Sequence, residues 1–279
     1  MSFAGNLINA IIRRLTPGRK KARLSSISWL QEKWLKHLPY DNSVRKISLG
    51  KMVICFKNPL DILHTYPEIF TEEIYRFSSS SDTPFILDCG AHIGMGTLYF
   101  KSIYPNAEVH AFEPDAANFE LLTMNCKAVA DTGLHLYNKA VWTRDGDVQF
   151  AAKASQASAI VAGTEMDKQI QTVAVPAVHL KRILQQRGVD FLKLDIEGAE
   201  YAVIKDCKEE LRHVKNLFLE YHGKVEETSK LTELLEIVKT AGFSVYIKNA
   251  ADELHSPFYN KRLDNYPYEV QLNIFGYKL

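Results

Sequence analysis

After Pro84 the hydrophobic positions fall into short runs separated by longer amphipathic stretches. Short apolar runs bounded by turn residues read as buried strands, and apolar positions recurring at helical spacing read as helices. This predicts strands over residues 85–89, 109–112, 134–137, 191–195, 217–220 and 243–247. Helices are predicted over 94–103, 115–129, about 178–186, from 199 onward and over 229–240. Such alternation makes β-α-β units and a parallel sheet covered on both faces. Residues 146–151 and 171–175 read as an antiparallel excursion around a loop at 153–167. The last run, 269–278, has no helix after it and is expected to pair antiparallel.

The texture before Pro84 is different. Ile27, Leu30, Trp34 and Leu38 share one helical face, residues 51–56 read as a strand, and Pro59 can open a helix through Ile62. The polar stretch 78–82 is the best boundary. The expected architecture is α/β: a doubly wound, mostly parallel sheet over 83–279 with an antiparallel last strand, plus a small N-terminal α+β cap or oligomerisation region over 1–82.

Composition adds limits. With 46% hydrophobic and 24% charged residues among 279, the chain has an ordinary globular balance. A formal net charge of +1 gives no reason to expect nucleic acid. Cys55, Cys89, Cys126 and Cys207 form no C-x-x-C pair and read as thiols in a reducing compartment. No apolar run reaches the roughly 18–20 residues of a membrane span, so a cytoplasmic protein is expected. Leu7, Ile8, Ile11, Ile12 and Leu15, followed by Arg13, Arg14, Arg19, Lys20, Lys21 and Arg23, allow two readings. One is a helix packed on the domain or on a second subunit; the other is a peripheral contact with an anionic membrane surface.

Chemistry concentrates in two places. The first is Asp88-Cys-Gly90-Ala91-His92-Ile-Gly94-Met-Gly96, the loop after the first strand of the regular region. In open α/β sheets this loop is the usual cofactor cradle, and amides at the following helix start favour an anionic group. A dinucleotide cradle starting at Gly90 would need glycine where His92 and Met95 stand. That counts against an oxidoreductase, and no G-K-[ST] follows to make a nucleotide-phosphate loop. Glu113 closes the second strand, where an acid can accept hydrogen bonds from ribose hydroxyls.

The second place is Asp190-Phe-Leu-Lys193-Leu-Asp195-Ile-Glu197-Gly-Ala-Glu200, followed by Glu220 and His222 on the next strand. Lys193 and Asp195 share one side of their strand. His222 suits a general base near neutral pH, as does a carboxylate with a raised pKa. Alternatively Asp195, Glu197 and Glu220 hold a divalent cation such as Mg that acidifies a hydroxyl. Glu200 reads as a first-turn helix acid, and Lys193 either serves catalysis or pairs with a carboxylate. Tyr259, Arg262, Tyr266 and Tyr268 can stack on a sugar ring or simply pack a loop.

These residues resemble the FkbM family of S-adenosylmethionine-dependent methyltransferases. The likeness is carried by residues 87–94, by Ala111-Phe-Glu113-Pro114 with Asn118 and 121–125, by Lys139-Ala140-Val141, above all by 191–200, and by 219–222. The resemblance implies a Rossmann-like fold and O-methylation, often of sugar hydroxyls in glycans or of secondary-metabolite alcohols. It implies that Asp88, Gly90, Ala91, His92 and Gly94 line the methionine end of the cofactor, Glu113 and Pro114 the ribose, and Asn138, Ala140 and Val141 the adenine edge. Asp195 and Glu197 fall near the methyl. The family commonly has Asn where His92 stands. The leading expectation is an O-methyltransferase acting on a sugar or small-molecule hydroxyl. The alternatives are a polyketide-type alcohol as acceptor, or a non-catalytic module that keeps the cofactor fold.

Overall fold

The computed structural model describes residues 27–278, apart from 40, 131–132, 152–158, 161–171, 252–255, 257 and 260–267. The amphipathic N-terminal segment, the loop at 153–167 except residues 159–160, Arg262 and Tyr266 therefore lie outside the described residues.

Among the described residues, seven strands form the central sheet: β3 (Phe85–Cys89), β4 (Glu108–Phe112), β5 (Leu134–Tyr137), β10 (Val189–Leu194), β11 (Val214–Gly223), β12 (Ser244–Ala251) and β13 (Val270–Tyr277). Their spatial order is β12-β13-β11-β10-β3-β4-β5. β5, β4, β3, β10 and β11 are parallel neighbours, whereas β13 runs antiparallel between β11 and β12. The chain winds outward from β3 to one edge and then returns to β10 to wind toward the other. The switch point is therefore β3/β10, where open α/β sheets bind ligands.

Side-chain alternation on the central strands divides the core into two. Ile86 on β3, Val109 and Ala111 on β4 and Phe191 on β10 face one layer, with helices α2 (Met95–Ile103) and α3 (Ala116–Cys126) over them. Leu87, Cys89, Leu192 and Leu194 face the other, under α4 (Leu180–Gln186), α5 (Glu200–Asp206) and α6 (Thr228–Thr240). At the opposite end from the site, Asp190 accepts hydrogen bonds from the Phe85 amide, Lys215 and Ser79 and ties three strand beginnings together. All four cysteines are free and buried.

The N-terminal region shares the first core. It holds helix α1 (Trp29–Lys36), a hairpin of β1 (Arg45–Leu49) and β2 (Met52–Phe56), and two successive wide, π-type turns at Asp61–Thr65 and Pro67–Thr71. Leu35, Ile54, Phe56, Tyr66, Phe70 and Tyr75 pack in the same cluster as Tyr99, Phe100 and Leu122. Buried Asn125 of α3 stitches the two parts, accepting from the Cys55 amide at 2.6 Å and donating to the carbonyls of Cys55 and Ile93 at 2.9 and 2.8 Å. The expected helical face is only partly buried: α1 forms, capped by Ser28, but Leu35 is its buried residue while Leu30 stays exposed. Eight residues resting on a two-stranded hairpin can cover only a narrow stripe.

The excursion is a separate four-stranded sheet, with β9 (Thr172–His179) between β6 (Ala140–Trp142) and β7 (Gly146–Ala151), and β8 (Ala159–Ile160) at the edge. β7 and β9 are antiparallel as expected, but β6 pairs parallel with β9, and β9 extends through Val178 and His179, where a helix start was predicted. Among the described residues, no helix is long and apolar enough to cross a membrane.

Candidate active site

Register sets the site. Cys89 of β3 is level with Phe112 of β4 and Leu194 of β10, and Leu194 is level with Leu219 of β11. The next residues along, Gly90, Glu113, Asp195 and Glu220, therefore emerge in one row across four adjacent strand ends. A cavity of about 710 Å³ opens above them, lined also by Asp88, Tyr75, Lys193 and Glu197, with Ala140 and Val141 at one end. The volume lies in the range of small-molecule sites.

The glycine loop is built for packing as much as for a ligand. The amides of Gly90 and Ala91 both donate to the Phe112 carbonyl, and that of His92 donates to Glu113 at 2.7 Å. These three amides lock the loop onto the end of β4. Gly90 has φ +83°, and a Cβ there would sit 1.7 Å from the backbone oxygen of Asp195. Its lack of a side chain is demanded by the neighbouring strand end. His92 has φ +51°, a left-handed conformation that Asn and His tolerate better than most residues. The backbone requirement accounts for either residue at this position.

Asp88 is wholly buried; its Oδ2 accepts from the Thr97 hydroxyl at 2.6 Å, and its Oδ1 has no hydrogen-bond partner. Lys193 lies between carboxylates, with Nζ 3.2 Å from Asp195 Oδ2, 3.6 Å from Asp88 Oδ1 and 2.7 Å from the Gly90 carbonyl. Burial works against its charge, but Asp195 and its other neighbours outweigh burial and hold the ammonium well above its ordinary pKa. Of the two roles weighed for Lys193, the structure places it as a paired cation, which cannot accept a proton. Glu113 is buried, which raises its pKa; Oε2 accepts from His92 and Oε1 from the Asp115 amide.

The second cluster surrounds His222. Glu200, at the start of α5, turns its fully buried carboxylate back to accept from the amides of Ile196 and Gly198 and to meet His222 Nδ1 at 3.1 Å. His222 Nε2 lies 3.7 Å from Glu197 and 3.6 Å from Glu220. Burial opposes the imidazolium, yet Glu200 and the other acids push its pKa up to about 10. Burial pushes Glu197 and Glu220 up to about 8, with Asp195 adding to the effect. Glu200 occupies His222 Nδ1, and the acids around the ring favour its imidazolium form over a neutral base. Glu197 itself is left-handed at φ +54°, and the Tyr268 hydroxyl donates to its carbonyl.

Not every expected residue reaches the cavity. Asn138 is exposed and braces the end of β4, donating to the carbonyls of Glu113 and Pro114. The atoms best placed to converge on a metal here belong to Asp195, Glu200 and His222, within 4.8 Å of one another, a different trio from Asp195, Glu197 and Glu220. Residues that sequence reading missed come from the N-terminal region: Asp61, Glu68 and Tyr75 line the cavity. No local motif marks them, because only packing onto α2 and α3 brings them there.

The description "Methyltransferase FkbM domain" matches residues 88–245, more than half of the chain and spanning both clusters. The chain belongs to the FkbM methyltransferase family. It is an S-adenosylmethionine-dependent methyltransferase of that type. Methyltransferase 1 of Beauveria bassiana (strain ARSEF 2860) is 27% identical over 191 residues, 60% of this chain and 77% of that protein. Methyltransferase sdnD of Sordaria araneosa is 28% identical over 183 residues, 52% of this chain and 68% of that one. Among solved structures, methyltransferase FkbM from Methylobacillus flagellatus KT is 17% identical with a TM-score of 0.48, covering 75% of this chain and 46% of that chain, which is thus more than twice as long as the matched part.

Proposed function

We propose that this FkbM methyltransferase methylates a hydroxyl oxygen, on a sugar of a glycan or glycoconjugate. One observation carries the reading: the carboxyl groups of Glu197 and Glu220, which burial and Asp195 hold above their ordinary pKa, line the cavity beside Asp195. A neutral hydroxyl must give up its proton as its oxygen gains a methyl, and an acceptor of raised pKa works well near neutral pH.

The residues present fit the cofactor. Each oxygen of the Glu113 carboxylate accepts one protein amide and keeps a second lone pair for a ribose hydroxyl. The unpartnered Asp88 Oδ1 suits the amino-acid ammonium, and buried Ala140 and Val141 offer an apolar wall for adenine. When bound, S-adenosylmethionine supplies an electrophilic methyl group on a sulfonium. Lys193 and Asp195 then orient the row of strand-end acids, and Glu200 anchors His222 so that Glu197 and Glu220 face a fixed cation. Ionised Glu220 or Glu197 takes the hydroxyl proton. A divalent cation would be a second way to acidify the hydroxyl; the protonated imidazole beside Asp195 and Glu200 favours the carboxyl route.

Calorimetric titration with S-adenosylhomocysteine, and labelled cofactor incubated with nucleotide sugars, glycans and polyketide-type alcohols, test the reading. Label bound through oxygen on a sugar is expected. Binding of a nicotinamide dinucleotide alone, or label on carbon, would overturn it.

A further inference from the structure

The charge of the cavity wall is unbalanced. Among the described residues, eight carboxyl side chains line it, against the ammonium groups of Lys57 and Lys193 and the imidazoles of His64 and His92, with His222 behind Glu197 and Glu220. Lys193 is already held by Asp195 and Asp88. The cofactor brings two positive charges and one negative, which offsets a single carboxylate. Away from the Asp88 and Glu113 end, the excess lies where the acceptor must sit. Glu197 and Glu220 come from the strand ends, and Glu68 comes from the wide turn at Pro67–Thr71. Glu68 Oε1 accepts from Asn273 Nδ2 at 3.1 Å, and Asn273 stands in register with Glu220. Two carboxyl groups thus approach one region from different parts of the chain.

Beside Glu68, among the described residues, the buried Asn273 Oδ1 lacks a hydrogen-bond partner, while Asp88 Oδ1 is left to the ammonium of the cofactor. Burial raises the pKa of Glu68, Glu197 and Glu220, and Lys248 near the first and His222 and Lys193 near the other two only partly offset it.

Taking the cavity as the methyl-transfer site, we propose that the acceptor carries an ammonium group beside its reacting hydroxyl, as an amino sugar or amino alcohol does, with Glu68 as the residue that selects it. A phosphorylated acceptor is repelled by the same wall. The reacting hydroxyl loses its proton to Glu197 or Glu220, its oxygen gains the methyl, and the carbon–sulfur bond breaks with its electron pair left on sulfur. The ammonium is bound but unchanged.

The test uses the full chain saturated with S-adenosylhomocysteine, in EDTA so that no divalent cation can supply the missing charge. Glucosamine and 2-aminocyclohexanol are titrated calorimetrically beside their N-acetyl forms and glucosamine 6-phosphate. At least one amine is expected to bind tenfold or more tighter than its N-acetyl partner, with the phosphate weakest. Glu68→Gln, which can still accept from Asn273, is expected to remove at least fivefold of that preference with S-adenosylhomocysteine affinity and Tm unchanged. Equal binding across the set, no amine binding at millimolar concentration, or an unaltered preference in Glu68→Gln overturns the proposal. Failure of the wild type to bind S-adenosylhomocysteine would instead overturn the reading of the site itself.

Discussion

Replacing Gly90 by alanine separates two costs that are usually confounded. A Cβ at φ +83° adds left-handed strain, worth about 1–2 kcal/mol. It would also lie 1.7 Å from the Asp195 oxygen and 2.8 Å from its carbonyl carbon, where contacts under 3.0 Å are essentially never seen. The obstruction is backbone, so no rotamer change relieves it, and the ends of β3 and β10 must part by more than an ångström. Overpacking of that kind costs about 1–3 kcal/mol, for a total of about 2–5 kcal/mol. That is a large share of the roughly 5–15 kcal/mol that holds a typical domain together. Gly146 supplies the control, with φ +107° and nothing within 4 Å of an added Cβ, so Gly146→Ala should show strain alone. Urea denaturation of both variants should place Gly90→Ala below Gly146→Ala by about 1–3 kcal/mol. Titration with S-adenosylhomocysteine should show weakened binding only in Gly90→Ala, because Asp195 and its neighbours are displaced. Equal stability of the two variants within about 0.5 kcal/mol would refute the assignment of Gly90 to the strand-end contact.

Three further outcomes are expected. Since Glu197 and Glu220 are raised to about 8, methyl transfer should climb between pH 7 and 9 as the base ionises. Glu220→Gln or Glu197→Gln, whichever removes the base, should abolish that limb and lower kcat by about 10²–10⁴-fold. His222 has a folded pKa above its ordinary 6.5, so its pairing with Glu200 stabilises the fold fully below 6.5 and fades as pH rises through about 10. A rate limb near 6.5 that vanishes in His222→Asn would contradict this. Asn125→Leu removes three hydrogen bonds between α3, β2 and the glycine loop and leaves backbone groups unpartnered. It should cost about 2–4 kcal/mol; thermal unfolding within 1 °C of wild type would show that the brace is dispensable.

Much of this site was legible before the fold. Asp88, Glu113, Asp195 and Glu220 each end or immediately follow an apolar run, and runs of that kind can only be neighbouring strands of a buried sheet. Their juxtaposition follows from the parallel β-α-β order. Lys193 and Asp195 were expected on one side of β10, and their side chains meet at 3.2 Å. β1 and β6 were not foreseen. β6 is three residues long, too short for a period to register, and it exists only because β9 pairs with it.

Protonation states and the acceptor wall lay beyond local reading. Histidine at a strand end reads as a base because its ordinary pKa is near neutral. Whether it stays neutral depends on how many carboxyl groups surround it, and Glu197 reaches His222 from the loop after β10, Glu200 from the start of α5 and Glu220 from its own strand. Glu68 and Asp61 enter the cavity from a region with no motif, positioned by packing more than a hundred residues away in sequence from Asp195. Hydrophobic periodicity is a property of neighbours along the chain, so it prescribes strands, helices and the glycine loop between them. Electrostatics and burial are properties of neighbours in space, and they decide what those residues do.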